Sequence, residues 1–397
     1  MRKFILILPI VLLAIIVGIG LYFLFSPATT TTTGGQTGTL PNAGIQSNPG
    51  SATGTVANGN PNIGKNFGLI SNEPVLDYFV NSANLVTAIE PSGKIVQISG
   101  GQVNTINSLL IQNIFTASFS HDGSKILVSF GDPTNPQTSV FDVTAKTWTP
   151  MSQGIMSPAW SPSDYRVAYY TVNNAIETLA TIDASKAKPA PTTIMTIHAQ
   201  DLALTWPTTN QLALATKPSS YAPGSAWLLN LKTKSLALIG MQVPGIDLLW
   251  QSQPTTPTSS LMGLQFVSTG SGLGGSLSLI DTSGNTIDQI KFLTLPSKCL
   301  FAATTATSSS VPSSYLFCGV PRDQDSLGIA HLPDDYLQMS LFTSDDIYRI
   351  NLSNGAIDTV FNDATQNIDV SDAKFFNNML FFVNRYDQKL YAISLSA

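Results

Sequence analysis

The sequence predicts an all-β chain: a seven-bladed β-propeller preceded by one N-terminal transmembrane helix and a disordered linker. Three observations predict it. A unit made of a short strand ending on a large aromatic, a tight polar turn and a second strand repeats along the chain at a period of about 40 to 50 residues, the signature of radially repeated sheets. Two separate markers of that unit each count seven and interleave one for one. Ahead of the first unit, the run from Phe4 to Phe25 carries no charge at all.

Residues 1–25 read as a membrane anchor. Arg2 and Lys3 precede the uncharged run, which as a helix spans roughly 33 Å, enough for the ~30 Å hydrocarbon core of a bilayer. Positive charge lies before the run and none follows before Lys65, which puts the N-terminus in the cytoplasm and the body outside it. The expected location is therefore the cytoplasmic membrane, single-pass, with the propeller on the extracytoplasmic side. Ser26-Pro27-Ala28 resembles a small-residue cleavage site, so a cleaved signal peptide is the rival reading. The run is longer than the roughly 7 to 15 apolar residues of a usual signal core, which favours an uncleaved anchor. No Cys follows it, which argues against a lipoprotein.

Residues 26–66 are Thr, Gly, Ser, Asn and Pro, with five consecutive Thr from Thr29 to Thr33. Such a segment has too little apolar surface to offset its ordering entropy. It is expected to be a flexible tether with a root-mean-square reach on the order of 35 Å.

Residues 67–397 are assigned to the propeller. The first marker is the aromatic that ends each first strand: Tyr78 or Phe79, Phe119, Trp160, Trp206, Trp250, Phe301 and Phe375 or Phe376. These bulky rings are expected to fill the space between neighbouring sheets. The second marker is the polar hairpin between third and fourth strands: Ser99-Gly100-Gly101, Asp142-Val143-Thr144, Asp183-Ala184-Ser185, Asn230-Leu231-Lys232, Asp281-Thr282-Ser283-Gly284 and Asn351-Leu352-Ser353-Asn354-Gly355, with Ile393-Ser394-Leu395 at the end. Asp, Asn and Ser close such turns on their own backbone, and Gly supplies positive φ. Between the markers the residues are β-formers, and helical periodicity is absent after the anchor.

The last unit supplies only three strands before the chain stops. An open edge invites association. Lys65 to Ile70 is therefore expected to add the fourth strand, with Phe67 against Leu390 to Leu395.

Phe119-Ser120-His121-Asp122-Gly123 and Trp160-Ser161-Pro162-Ser163-Asp164 resemble the WD-like repeat of TolB and of the propeller domains of prolyl oligopeptidase relatives, whose turn reads W-S-P-D-G. The match is partial: the first copy lacks the Trp and Pro, the second shifts the Asp, and Trp206-Pro207-Thr208-Thr209-Asn210 is weaker still. The resemblance covers roughly residues 72–397 and implies the fold. Leu295-Pro296-Ser297-Lys298-Cys299, Cys318-Gly319-Val320-Pro321, Pro333-Asp334-Asp335-Tyr336 and Ser344-Asp345-Asp346-Ile347-Tyr348 are similar to a module of uncharacterised membrane-anchored bacterial propeller proteins. That resemblance implies architecture and location, and brings no activity with it.

Cys299 and Cys318 end one strand and close the next, which sets them opposite each other in a hairpin. In an exported chain such a pair is expected to be a disulfide, worth ~3 kcal/mol in the chain-entropy model; two buried free thiols are the alternative. The segment from Pro321 to Asp346 is the longest insertion and holds Arg322, Asp323, Asp325, His331, Asp334, Asp335 and Tyr336. Long loops often carry function, so these residues are the candidates for a partner-binding lobe; a solvated decoration is the alternative.

No metal or cofactor is expected. There is no C-x-x-C, His121, His198 and His331 are scattered, and Asp334-Asp335 and Asp345-Asp346 lack the ligand spacing of a calcium loop. Gly270 to Gly275 reads as a hairpin loop, and no G-x-S-x-G or H-E-x-x-H occurs. With 24 acidic residues against 19 basic and a net charge of −5, a nucleic-acid partner is excluded. The function expected is a non-enzymatic binding or scaffold module in the cell envelope, contacting a protein or envelope polymer. The alternative is a glycan-active hydrolase or lyase, which clustered channel carboxylates would favour.

Overall fold

The structure, a computed structural model, describes residues 67–173, 176–186, 189–199, 201–252, 261–304 and 313–395. The expected anchor and linker, and the tip of the hairpin between the two cysteines, lie outside them. Among the described residues no helix is long and apolar enough to cross a membrane.

Seven antiparallel four-stranded sheets make up the fold, a seven-bladed β-propeller. The first strand of each blade is the inner one: Asp77–Val80, Ile114–Phe119, Met156–Trp160, Leu202–Thr208, Asp247–Trp250, Cys299–Thr304 and Val370–Phe376 for blades one to seven. Six sheets run in simple chain order, and the seventh is composite. Phe67–Pro74 pairs antiparallel with Lys389–Ser394, with Phe67 opposite Ile393, so the first described strand completes the last blade. Phe67 also packs in a tilted arrangement against Phe361 of blade six, ring centroids 5.4 Å apart.

The bulky rings span neighbouring blades. Phe119 of blade two stacks on Phe79 of blade one at 6.2 Å, and Phe375 of blade seven on Phe317 of blade six at 5.5 Å. Trp160 donates its Nε1 hydrogen to Ser118 O across the blade two to three boundary, 3.0 Å away. Trp206 receives the Arg166 guanidinium over its ring at 5.3 Å, and Trp250 packs among Ala213, Ala226 and Leu228 of the blade before it. Phe301 packs half-buried against the cluster of blades five and six. Each ring therefore buries apolar area between two sheets, where it stabilises both at once.

Helices do occur beyond the anchor, contrary to the expectation from periodicity. The insertion of blade six holds α1, Gln324–Ile329, and α2, Asp334–Leu337, of six and four residues. Neither completes two turns, so neither leaves a 3.6-residue repeat in the sequence.

Candidate functional site

Inter-blade connections and the turns between second and third strands share one face of the ring, the upper face; the remaining turns share the lower. Because the third strand of blade seven runs from upper to lower face, Phe67 opposite Ile393 enters the ring at the lower face.

The insertion lies on the upper face and reaches across blades four to seven. Asp323 caps α1, accepting from Ser326 N at 3.1 Å. Leu327, Ala330, Leu332 and Tyr336 are buried against Leu264, Phe266, Leu277 and Leu279 of blade five. Gly274, within the expected glycine hairpin, donates its N–H to Ala330 O at 2.8 Å, and Ser268 Oγ donates to Leu332 O. At blade four, Asp334 accepts from Ser219 Oγ at 2.9 Å, Ser220 N at 2.5 Å and Ser220 Oγ at 2.8 Å. His331 lies against Tyr221, ring centroids 4.8 Å apart. Gly245, at φ +63°, leaves the room this docking needs: a Cβ there would come within 1.8 Å of Ser268 Oγ.

A charged cluster with no solvent access fixes the other end. Lys298 Nζ stands 2.7 Å from Asp345 Oδ2 and 2.5 Å from Asp369 Oδ1, and all three side chains are fully buried. Arg385 Nη1 meets Asp369 Oδ2 at 2.8 Å, so two cations face two carboxylates. Tyr336 OH donates to Asp369 Oδ1 at 3.1 Å, and Arg385 Nη2 to Tyr336 O at 2.5 Å. Thr343 Oγ1 donates to Asp345 Oδ1 at 2.9 Å. Burial pushes the Asp345 carboxyl up against the opposing pull of Lys298. For Lys298, burial works against the charge, and Asp345 leads the groups that raise its pKa on balance. Paired and hydrogen-bonded on all sides, the charges tie α2 to the heads of two inner strands.

Of the residues singled out in the insertion, Arg322, Asp334 and Tyr336 hold the lobe to the ring, Asp323 and Asp335 bond within the lobe, and Asp323 and Asp325 are exposed. Arg322 meets Asp346 at 2.7 Å and donates to Asp363 O at 2.8 Å; Asp335 accepts from His331 N at 2.8 Å; Tyr336 is buried. The exposed side chains of the lobe include apolar ones, Ile329, Leu337, Met339 and Phe342. Cys299 and Cys318 are register partners joined by a disulfide with Cα atoms 4.1 Å apart, directly behind the charged cluster. Sequence reasoning missed Lys298, Asp369 and Arg385. The available signal was a lone Lys in the otherwise uncharged turn Leu295 to Cys299.

Where the lobe ends, a cleft opens. It lies on the upper side of blades two to four, with a volume of about 350 Å³. Phe115, Met156, Pro158, Tyr170 and Leu202 line it, with Ser129 and Lys217 among its polar groups. A bulge in the inner strand of blade three shapes its wall, with Ser157 at φ 46° and its Oγ accepting from Leu204 N at 2.9 Å. Among the described residues no carboxylate lines the cleft.

Carboxylates do meet on the inner strands of blades one and seven. Lys374 Nζ contacts Asp77 and stands 3.5 Å from Asp372 Oδ2, while Asp77 Oδ2 accepts from Phe119 N at 3.1 Å. Desolvation raises the Asp372 carboxyl, opposed by Lys374. Asp247, on the inner strand of blade five, is pushed up to about 6 by burial. Among the described residues no three His, Cys, Asp or Glu side chains gather as metal ligands.

No protein-family model matches the sequence, and no curated protein matches it. Solved structures are similar in chain path. The tricorn protease is 9% identical with a TM-score of 0.49 over 83% of this chain and 34% of its own, so this chain spans about a third of it. An oligogalacturonate lyase in complex with manganese is 10% identical, with a TM-score of 0.48 over 82% of this chain and 97% of the other. TolB from Acinetobacter baumannii is 10% identical, with a TM-score of 0.35 over 80% and 62%. No residue's role is carried over from them.

Proposed function

We propose that the chain is a membrane-anchored, extracytoplasmic binding or scaffold module of the cell envelope that takes a protein partner on its upper face. The observation behind this reading is where exposed large apolar side chains lie: Leu69, Val103, Leu236, Leu238, Met241, Ile287 and Ile357 are spread along the outermost strands, and the others cluster on one face. Leu109, Phe115, Val172, Ile176, Tyr221, Ile329, Leu337, Met339, Phe342 and Tyr386 all lie in connections or turns of the upper face or at its rim, with Tyr221 66% and Ile329 75% exposed. An apolar array of this kind around an apolar cleft is the surface a protein partner recognises. The anchor, read from Phe4 to Phe25, would hold it at the membrane.

A photo-crosslinking residue placed at Phe115 or Tyr221 in cells is expected to give a reproducible protein adduct, and one at Thr144 of the lower face to give none. Equal labelling from both faces, or none from either, overturns the reading.

A glycan-active hydrolase or lyase is the second reading, favoured by Asp77 and Asp372 near one another on inner strands. Asp77 is engaged by Lys374 and also accepts from Phe119 N and from Tyr78 N at 2.7 Å, which leaves it little free for an acid or base role, whereas Asp372 Oδ2 is buried with no hydrogen-bond partner among the described residues, 3.5 Å from Lys374. Release of reducing ends from envelope polysaccharide, abolished by Asp372→Asn, would establish it.

A further inference from the structure

We propose that Lys298 and Asp345 condense to an intramolecular amide that ties the inner strand of blade six to its third strand. The argument starts from contact and burial. Lys298 Nζ lies 2.7 Å from Asp345 Oδ2 with both side chains fully buried, so amine and carboxyl are held together where no water competes. An amine so placed is a nucleophile once it loses a proton.

The two carboxylates differ in their surroundings, and the difference assigns their roles. Asp345 accepts from Thr343 Oγ1 at 2.9 Å on one oxygen and from Val370 N at 2.8 Å on the other. Two fixed donors on a carboxyl are the arrangement that stabilises the oxyanion of acyl transfer. Burial favours its neutral acid, the form that can be attacked. Asp369 has Arg385 Nη1 at 2.8 Å and Thr343 N at 3.1 Å on Oδ2, while Oδ1 has Lys298 Nζ at 2.5 Å, nearer than Tyr336 OH at 3.1 Å and Thr343 Oγ1 at 3.2 Å. Asp369 is therefore the base. Gly319 makes the approach possible, since a Cβ there would come within 2.9 Å of Asp345 Oδ2.

Proton transfer from the Lys298 ammonium to Asp369 frees the amine inside the cluster, without release to solvent. Nζ then bonds to Cγ of Asp345, and the bond from Cγ to one oxygen breaks. Asp369 returns its proton to that oxygen and relays to it a second one from Nζ, and the oxygen leaves as water. Ammonium and carboxylate give amide and water, so atoms and charge balance with no further reagent. The product removes two buried charges that otherwise cost desolvation energy. Arg385 remains opposite Asp369.

The test is a protease digest of the purified, reduced full-length chain, read by mass spectrometry. The expected result is a branched peptide joining the Lys298 segment to the Asp345 segment, lighter by one water than the two linear peptides together, with Lys298 resistant to trypsin. Asp369→Asn is expected to yield the linear peptides. Linear peptides from the folded wild-type chain overturn the proposal, as does a water loss mapped elsewhere, such as a succinimide at Asp122-Gly123. The wild-type digest decides the matter even if the variant fails to fold.

Discussion

Phe67 lies almost parallel to Tyr391, with ring centroids 5.2 Å apart and an interplanar angle of 5°. This contact seals the composite blade. The strand that carries Phe67 brings the ring's first described residues to its last, so its side chain acts on closure as well as on local packing. Phe67→Ala is expected to lower stability by about 2–3 kcal/mol, since a large half-buried ring is lost and the seam is left poorly packed. Thermal denaturation of the variant against the parent checks it. An unchanged midpoint would show that the backbone pairing with Lys389–Ser394 suffices.

The charged cluster makes a sharper demand. Arg385→Ala leaves Asp369 Oδ2 without its guanidinium and Tyr336 O without its donor in a buried site. The expected loss is about 3–5 kcal/mol, the range for breaking a buried pair. The lobe should also become open to protease between α1 and α2, while cleavage elsewhere on the ring stays slow. Limited proteolysis followed by mass mapping separates the two.

At the other end of the lobe, Asp334→Ala removes three hydrogen bonds to the turn of blade four. A loss of about 1–3 kcal/mol is expected, with the Ser219 and Ser220 groups returned partly to solvent. Amide hydrogen exchange should accelerate at Ser220 and not at Val370, because the two anchorages are separate.

Asp247 carries a pH dependence whose sign can be worked out. Burial lifts its carboxyl to about 6, against the pull of Leu248 N. A carboxyl raised in the fold binds its proton more tightly folded than unfolded. Its contribution is therefore fully present below about pH 4 and is lost as pH rises through about 6. Asp247→Asn keeps an acceptor for Leu248 N and should stabilise the ring at about pH 7 by about 1–2 kcal/mol, after allowance for channel water. At about pH 4 the two proteins should melt together. Denaturation at both pH values tests this, and equal gain at both would exclude a titration of Asp247.

The ring was legible because its signals are local and repeated. Trp160 and Trp250 end first strands, the Asp and Asn turns close outer hairpins, and the missing fourth strand of the last unit pointed to Phe67. The charged cluster was not legible, because Lys298, Asp345, Asp369 and Arg385 come from four separate places in the chain. Each alone looks like an ordinary solvated side chain, and Asp345 sits in an Asp-Asp pair that suggests capping. The cleft was hidden for a similar reason: Phe115, Met156 and Leu202 meet only where three inner strands begin together. The lobe's polar residues drew attention as binding groups, whereas their partners lie within the same molecule.

Because the first described strand starts at the lower rim while lobe and cleft occupy the opposite rim, anything joined upstream of Phe67 is attached to the back of the ring. Coupling the chain to a bead or sensor surface at a site directly ahead of Phe67 should leave lobe and cleft facing the liquid. A label fused after Ser394, on the third strand of the same blade, would leave from that back side too.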